Sequence, residues 1–220
     1  MACKRKISCI YRLSKEKIMS NIKLLFLDIG GVLLSDGWNH ASRLEAIEKF
    51  DLDPIPFQKD HATAFPLFEN GKLTLDEYLE CVVFNVKRDF SKTEFSEFMF
   101  SRTSQLPDFL PWLINFKKET GIKIFSINNE GKEFNDYRIK TFELHRVFDA
   151  FVSSCEIGFS KPDPSIFKLA LGIAQEEPQN CLYFDDRAIH VSIAKHIGLN
   201  AHIHESFEKS KSILESLIKA

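Results

Sequence analysis

Apolar residues in this chain fall into two patterns. Some form short, nearly unbroken runs, and others recur every three or four positions over longer stretches. Residues 22–27 (IKLLFL) are such a run, ending at Asp28-Ile29-Gly30-Gly31, and residues 122–127 (IKIFSI) are a second, reached through Gly121. Runs this short fit strands buried on both faces, the signature of a parallel sheet. Residues 148–153, 181–184 and 201–203 read as three more short strands. Helical spacing lies between them: residues 108–120 with Gly121 as stop, 164–174 with Asp163 as N-cap and Pro164 at the first turn, and 188–197 with Gly198 as stop. A final amphipathic stretch covers residues 206–219. Strands alternating with helices predict βαβ units and an α/β, Rossmann-like, doubly wound parallel sheet.

The first two strands are separated by some ninety residues, too many for one crossover. Residues 37–103 show no strand-like alternation but carry two capping boxes, Thr74-Leu75-Asp76-Glu77 and Ser91-Lys92-Thr93-Glu94. Helical spacing also fits residues 41–50 and 57–70. The expected organisation is a core of residues 21–36 and 104–220 with a helical bundle, residues 37–103, inserted after the first strand. The 21 phenylalanines, mostly at helical spacing, read as core of both parts. Residues 1–20 hold six Lys/Arg against the single acid Glu16 and are expected to be a disordered extension outside the fold, with a basic interaction arm or an organelle-targeting peptide as the alternative.

Composition narrows the classes. The chain has 220 residues, 44% hydrophobic and 27% charged, which excludes a disordered tail, a collagen-like chain and a disulfide-dense mini-protein. A net charge of −2 advertises neither nucleic acid nor an anionic membrane as partner. No apolar run reaches the roughly 20 residues of a membrane-spanning helix. Five cysteines (Cys3, Cys9, Cys81, Cys155, Cys181) without C-x-x-C spacing fit reduced thiols and a cytoplasmic setting, with Cys155 and Cys181 as small core residues. A monomer or weak homo-oligomer is expected.

In open α/β sheets ligands bind at the carboxyl ends of strands. There this chain has Asp28, Ser126 and the pair Asp185-Asp186, with Lys161 in a following loop. Any one alone reads as a cap, a turn residue or a solvated charge. Two adjacent carboxylates at one strand end repel each other and call for a cation. The set suits phosphoryl transfer: a carboxylate nucleophile, a hydroxyl and an ammonium for the phosphoryl oxygens, and Mg²⁺ between the two anions.

These residues lie in segments that resemble the motifs of the haloacid dehalogenase superfamily. The first is Phe26-Leu27-Asp28-Ile29-Gly30-Gly31-Val32-Leu33 and the second Ile124-Phe125-Ser126. The third is Ser160-Lys161-Pro162-Asp163-Pro164-Ser165-Ile166-Phe167 and the fourth Tyr183-Phe184-Asp185-Asp186-Arg187-Ala188. The insertion resembles the family's C1 cap, in which Phe68-Glu69-Asn70-Gly71-Lys72-Leu73-Thr74 is a usual stretch. The subgroups most alike are sugar-1-phosphate phosphatases and the N-terminal phosphatase domain of soluble epoxide hydrolases.

The resemblance implies a Mg²⁺-dependent phosphatase for a small phosphorylated metabolite. Asp28 would be the nucleophile, and Ser126, Ile127 (through its N–H) and Lys161 would hold phosphate. Asp28, the Gly30 carbonyl and Asp185 would hold the metal, with Asp186 and Asn128 in support and Trp38 and Asn39 as candidate substrate contacts. Three departures stand out. Gly30 replaces an aspartate that acts as general acid and base, a function typically contributing on the order of 10²–10⁴ in rate. Ile127 and His190 stand where the subgroup often has asparagine. His190 is expected to face solvent at a helix start, with orientation of Lys161 or a metal-bound water as the alternative. His202 and His204 share a strand face but lack a third ligand, so they are expected to be surface residues and not a metal pair. A binding protein that lost efficient turnover and a phosphotransferase are the rival functions, the first favoured by Gly30, Ile127 and His190 together.

Overall fold

The computed structural model describes residues 22–216, so residues 1–20, with Cys3 and Cys9, and the end of the stretch 206–219 lie outside the described residues. Five strands form one parallel sheet in the order β3-β2-β1-β4-β5: β1 (Leu24–Leu27), β2 (Lys123–Asn128), β3 (Ala150–Ser153), β4 (Cys181–Asp185) and β5 (Asn200–Ile203). β1 is central and all four of its residues are buried. Its side chains alternate between two apolar clusters, Leu25 and Leu27 in one and Leu24 and Phe26 in the other, as a strand covered on both faces must. That explains the unbroken apolar run.

Between β1 and β2 lie four helices: α1 (His40–Lys49), α2 (Pro54–Glu69), α3 (Leu75–Val82) and α4 (Lys92–Ser101). Both capping boxes form, Thr74 with Glu77 opening α3 and Ser91 with Glu94 opening α4. The insertion has its own core, in which Tyr78 stacks on Phe68 at 5.0 Å between ring centres. Its two linkers run side by side, with Ser35 N–H donating to the Ser104 carbonyl at 2.8 Å and Leu106 N–H to the Leu33 carbonyl at 2.9 Å.

After the insertion come α5 (Phe109–Thr120), α6 (Lys132–Thr141), the single turn α7 (Ser154–Ile157), α8 (Pro164–Ala174), α9 (Ala188–Ile197) and α10 (Phe207–Glu215). Gly121 and Gly198 close α5 and α9 in left-handed conformations, and Asp163 caps α8 through the Ser165 N–H. Among the described residues, α6 is the multi-turn helix the apolar pattern does not reveal. Its sequence KEFNDYRIKT is mostly polar, and Gly131 at its N-cap offers no side chain to mark the start. Cys181 is buried as expected, whereas Cys155 is half-buried on α7. No helix among the described residues is long and apolar enough to cross a membrane.

Candidate active site

The carboxyl ends of β1, β2 and β4 lie side by side because these strands are neighbours in register, Leu27 beside both Ser126 and Phe184. Asp28 follows β1 and Asp185 ends β4. Between them sits the ammonium of Lys161, 2.7 Å from Asp28 Oδ2 and 2.8 Å from Asp185 Oδ2. All three side chains are buried. The Lys161 loop is held by Asn129, whose Oδ1 accepts the Lys161 N–H at 2.8 Å while its Nδ2 donates to the Lys161 carbonyl at 2.9 Å. The Lys161–Pro162 peptide bond is cis.

Asp185 is saturated with donors. Lys161 and the Tyr183 hydroxyl reach Oδ2, the Arg187 N–H reaches Oδ1 at 2.8 Å, and His190 Nδ1 lies 3.0 Å from both oxygens. Burial opposes its charge, but Lys161 and the other donors hold its carboxyl well below the usual carboxylate range. Burial likewise opposes the Lys161 charge, yet Asp28 and Asp185 outweigh it and keep the ammonium pKa above its ordinary value. Asp28 is the member whose charge is least supported. Burial pushes its pKa up to about 7, with Lys161 pulling down and Asp185 pushing up, and its Oδ1 accepts only the Ile29 N–H, at 2.8 Å.

The structure corrects the expectation for His190. It is buried against Asp185, because the first turn of α9 begins directly beneath the end of β4 and turns that side chain inward. Asp186 does face the cavity. Its pKa is raised by burial, then by the charges of Asp185 and Asp36, and a Cβ at Gly31 (φ 68°) would collide with its carboxylate. Gly31 is therefore required both for the left-handed turn and for the close approach of Asp186.

A cavity of about 420 Å³ opens over this group. The core contributes Asp28, Gly30, Asp36, Asn129, Glu130, Arg138, Lys161, Asp186, Arg187 and His190 to its wall, and the insertion contributes Trp38, Asn39, His40, Arg43, His61, Phe65 and Glu69. Trp38 and Asn39 thus both reach it. Trp38 also packs in the insertion's core against Phe95 and Phe98, and Asn39 caps α1 through the Ser42 N–H at 2.9 Å. Ser126, Ile127 and Asn128 are buried at the end of β2 and are not part of that wall. Ser126 Oγ donates to Asn128 Oδ1 at 3.1 Å, Asn128 Nδ2 donates to Asn135 Oδ1 at 3.1 Å, and the Ile127 side chain belongs to the apolar cluster below the sheet. His202 and His204 are half-buried rather than on the surface, stacked on Phe184 and Phe109, and His204 Nδ1 lies 2.8 Å from Ser210 Oγ. Neither joins a metal-holding cluster among the described residues.

Several wall residues escape a reading of the sequence. Arg138 lies on the unforeseen α6 and pairs with buried Glu130 at 2.8 Å. Its Nη2 donates to the Ser35 carbonyl at 3.1 Å, and a Cβ at Gly30 would come within 3.6 Å of Arg138 Nη1 and of Asp36 Oδ1. Glu69 closes α2 over the site. Burial raises its pKa to about 7, Glu130 adds to the rise, and Arg187 and Lys161 oppose it. Its position in Phe68–Thr74 was the one available signal.

The donor set can be tested for a divalent cation. Oxygens of Asp28 and Asp185 and a nitrogen of His190 lie within 4.8 Å of one another, yet Asp185 and His190 bind each other and Lys161. Asp28, the half-buried Asp186 and the backbone at Gly30 offer hard oxygen donors, and burial together with the Asp185 charge raises the pKa of both carboxyls, which fits Mg²⁺.

Comparison with known proteins agrees with the geometry. The D-ribitol-5-phosphate phosphatase of Bacteroides thetaiotaomicron is 24% identical over 195 residues, covering 80% of this chain and 89% of that protein. The bifunctional epoxide hydrolase 2 of Mus musculus is 27% identical over 119 residues, covering 52% of this chain but 21% of that protein, and the Sus scrofa enzyme is 37% identical over 57 residues, 26% of this chain and 10% of that enzyme. The chain thus matches only a minor part of the epoxide hydrolases. In fold it is similar to the magnesium complex of the HAD family enzyme bt-2542 of B. thetaiotaomicron, with a TM-score of 0.72, 22% identity, and coverage of 83% of this chain and 93% of that one. The family model for haloacid dehalogenase-like hydrolases matches residues 22–198, and the chain belongs to that family.

Proposed function

We propose that this chain is a Mg²⁺-dependent phosphatase that hydrolyses a small phosphomonoester, sugar phosphates among the candidates, through an aspartyl-phosphate. The observation that carries the reading is the buried Asp28–Lys161–Asp185 arrangement at the base of a mostly polar cavity. A carboxylate and an ammonium in contact at a strand end supply a nucleophile and a phosphoryl-oxygen partner together. The phosphatase and the magnesium-bound neighbour reported above support the substrate class and the metal.

Asp28 attacks phosphorus, the bond to the leaving oxygen breaks so that it departs as an anion that solvent water protonates, and Lys161 moves its hydrogen bond from Asp28 to a phosphoryl oxygen. Asp185 keeps Lys161 in place, and His190 and Tyr183 keep Asp185 in place. Ser126 and the Ile127 N–H would join the phosphoryl site from beneath the cavity wall, which requires the Ser126 hydroxyl to turn from Asn128 Oδ1 to a phosphoryl oxygen. Water then attacks the acyl phosphate, releasing inorganic phosphate and restoring the carboxylate. Mg²⁺, when bound, offsets the repulsion between carboxylate and phosphate. Asp28, the Gly30 carbonyl and Asp186 would hold it. This moves the direct-ligand role from Asp185 to Asp186, because the lone pairs of Asp185 are already occupied. The insertion acts as the cap, supplying Trp38 and Asn39 to the substrate.

Gly30 provides no proton to the leaving oxygen, so good leaving groups should be favoured and breakdown of the aspartyl-phosphate should be slow. The test is phosphate release from p-nitrophenyl phosphate and a sugar-phosphate panel, with Mg²⁺ or EDTA, beside Asp28→Asn. The expected result is Mg²⁺-dependent turnover, faster on p-nitrophenyl phosphate than on alkyl phosphates, and abolished in Asp28→Asn. No turnover above the variant on any compound overturns the phosphatase and leaves a phosphate-binding protein, the reading that Gly30 favours. A product that depends on an added alcohol marks a phosphotransferase instead.

A further inference from the structure

Arg43 is a cation in the cavity wall with no anion beside it. Its Nη1 donates to the Trp38 carbonyl at 3.2 Å and its Nε to Gln58 Oε1 at 3.2 Å, both neutral acceptors. None of the ion pairs among the described residues involves it. Every other buried or half-buried cation of the wall described above has a carboxylate: Lys161 has Asp28 and Asp185, and Arg138 has Glu130. A guanidinium drawn partly out of water without a counter-charge is unfavourable unless a ligand supplies one.

His61 stands near Arg43 and adds a second donor. Trp38 Nε1 can only donate, and it donates to the Tyr78 hydroxyl at 3.0 Å, so the buried Tyr78 proton has His61 Nδ1, 2.8 Å away, as its acceptor. Burial first, and then the Arg43 charge, lower the His61 pKa to about 4, so the ring is neutral and carries its proton on Nε2. Arg43 also lies on α1, whose N-terminus enters the same wall through Asn39 and His40 and whose first turn holds no acid. Apart from Glu69, the insertion's share of the wall is rich in donors and carries its positive charge at Arg43.

We propose that the leaving group of the substrate carries a second anionic group, a carboxylate or another phosphate, received by Arg43 with His61 beside it. The assignment rests on the phosphatase reading for the first phosphate, and it separates this chain from an enzyme specialised for neutral polyol phosphates.

Binding and turnover test it separately. In Asp28→Asn with Mg²⁺, titration calorimetry compares 2-phosphoglycolate (carboxylate arm), propane-1,3-diol bisphosphate (phosphate arm) and glycerol 3-phosphate (neutral arm). At least one of the dianionic arms should bind about tenfold or more tighter than the neutral arm, the order expected of one charge-assisted hydrogen bond. Adding Arg43→Gln should erase that difference with inorganic phosphate binding unchanged, and Arg43→Lys should keep part of it. Equal binding of the three arms, no binding of any, or a preference that survives Arg43→Gln overturns the proposal. In the enzyme with Asp28 intact, kcat/KM should follow the same order, and Arg43→Gln should leave p-nitrophenyl phosphate within about threefold. Turnover without the preference would refute the second-anion site alone. The preference in binding without any Mg²⁺-dependent turnover would refute the phosphatase alone.

Discussion

Lys161 bonds two acids that differ sharply in how well each is supported. Asp185 receives four donors and stays ionised, whereas Asp28 receives a single N–H besides the shared ammonium and is pushed up to about 7, chiefly by burial. That asymmetry suits a nucleophile, because the poorly solvated carboxylate has most to gain from a new bond or a cation. His190 is part of what maintains it, and a hydrogen bond to a charged group contributes about 1.5–3 kcal/mol. His190→Ala should lower unfolding stability by that order in urea, and His190→Asn, which still offers an N–H to Asp185, should recover part of the loss. A wild-type midpoint for the alanine variant would mean the bond contributes nothing. That Asp28, Asp185 and Lys161 would gather at one edge of the sheet was legible from residue type at two strand ends and in one loop. The inward turn of His190 was not, because a helix-start histidine faces either way depending on what lies beneath it.

The elements were legible in proportion to how strongly their patterns departed from the average. β1 and β2 showed as apolar runs and α3 and α4 as capping boxes, since those signals come from backbone burial and local hydrogen bonds. α6 was silent, because it presents a largely polar surface and buries Asn135 and Arg138 beside Phe134. With α6 unseen, so were Glu130–Arg138 and the Ser126–Asn128–Asn135 chain. Within the insertion, α3 carries Tyr78, whose hydroxyl joins Trp38 and His61 across three segments. Tyr78→Phe keeps the ring stacked on Phe68 and removes only the hydroxyl, leaving both partners buried without one. The expected effect is a loss of about 1–3 kcal/mol in chemical denaturation, with the helical content by circular dichroism unchanged. An unaltered denaturation midpoint would show the hydroxyl to be dispensable to the insertion.

On the scale of the molecule, Arg138 fastens the core to both linkers of the insertion. It pairs with Glu130, donates to the Ser35 carbonyl, and lies 3.5 Å from Thr103 Oγ1 on the returning linker. Breaking a buried pair on one side typically costs about 3–5 kcal/mol, because the remaining charge is stranded. Arg138→Gln should therefore destabilise by that order, and Arg138→Gln with Glu130→Gln should recover much of it in a double-mutant cycle. Additive losses would show that the two side chains act independently. Composition, strand runs, capping boxes and the ordered set Asp28, Ser126, Lys161 and Asp185-Asp186 were fixed by the sequence itself, because each depends on local periodicity or on the rule that polar residues ending parallel strands gather at one edge. Tertiary structure alone decided which partner each charge has. Lys161 lies between two acids, Asp185 is filled with donors while Asp186 faces the cavity, and Arg43 is a half-buried wall guanidinium without a carboxylate, because these pairings depend on packing between segments far apart in the chain.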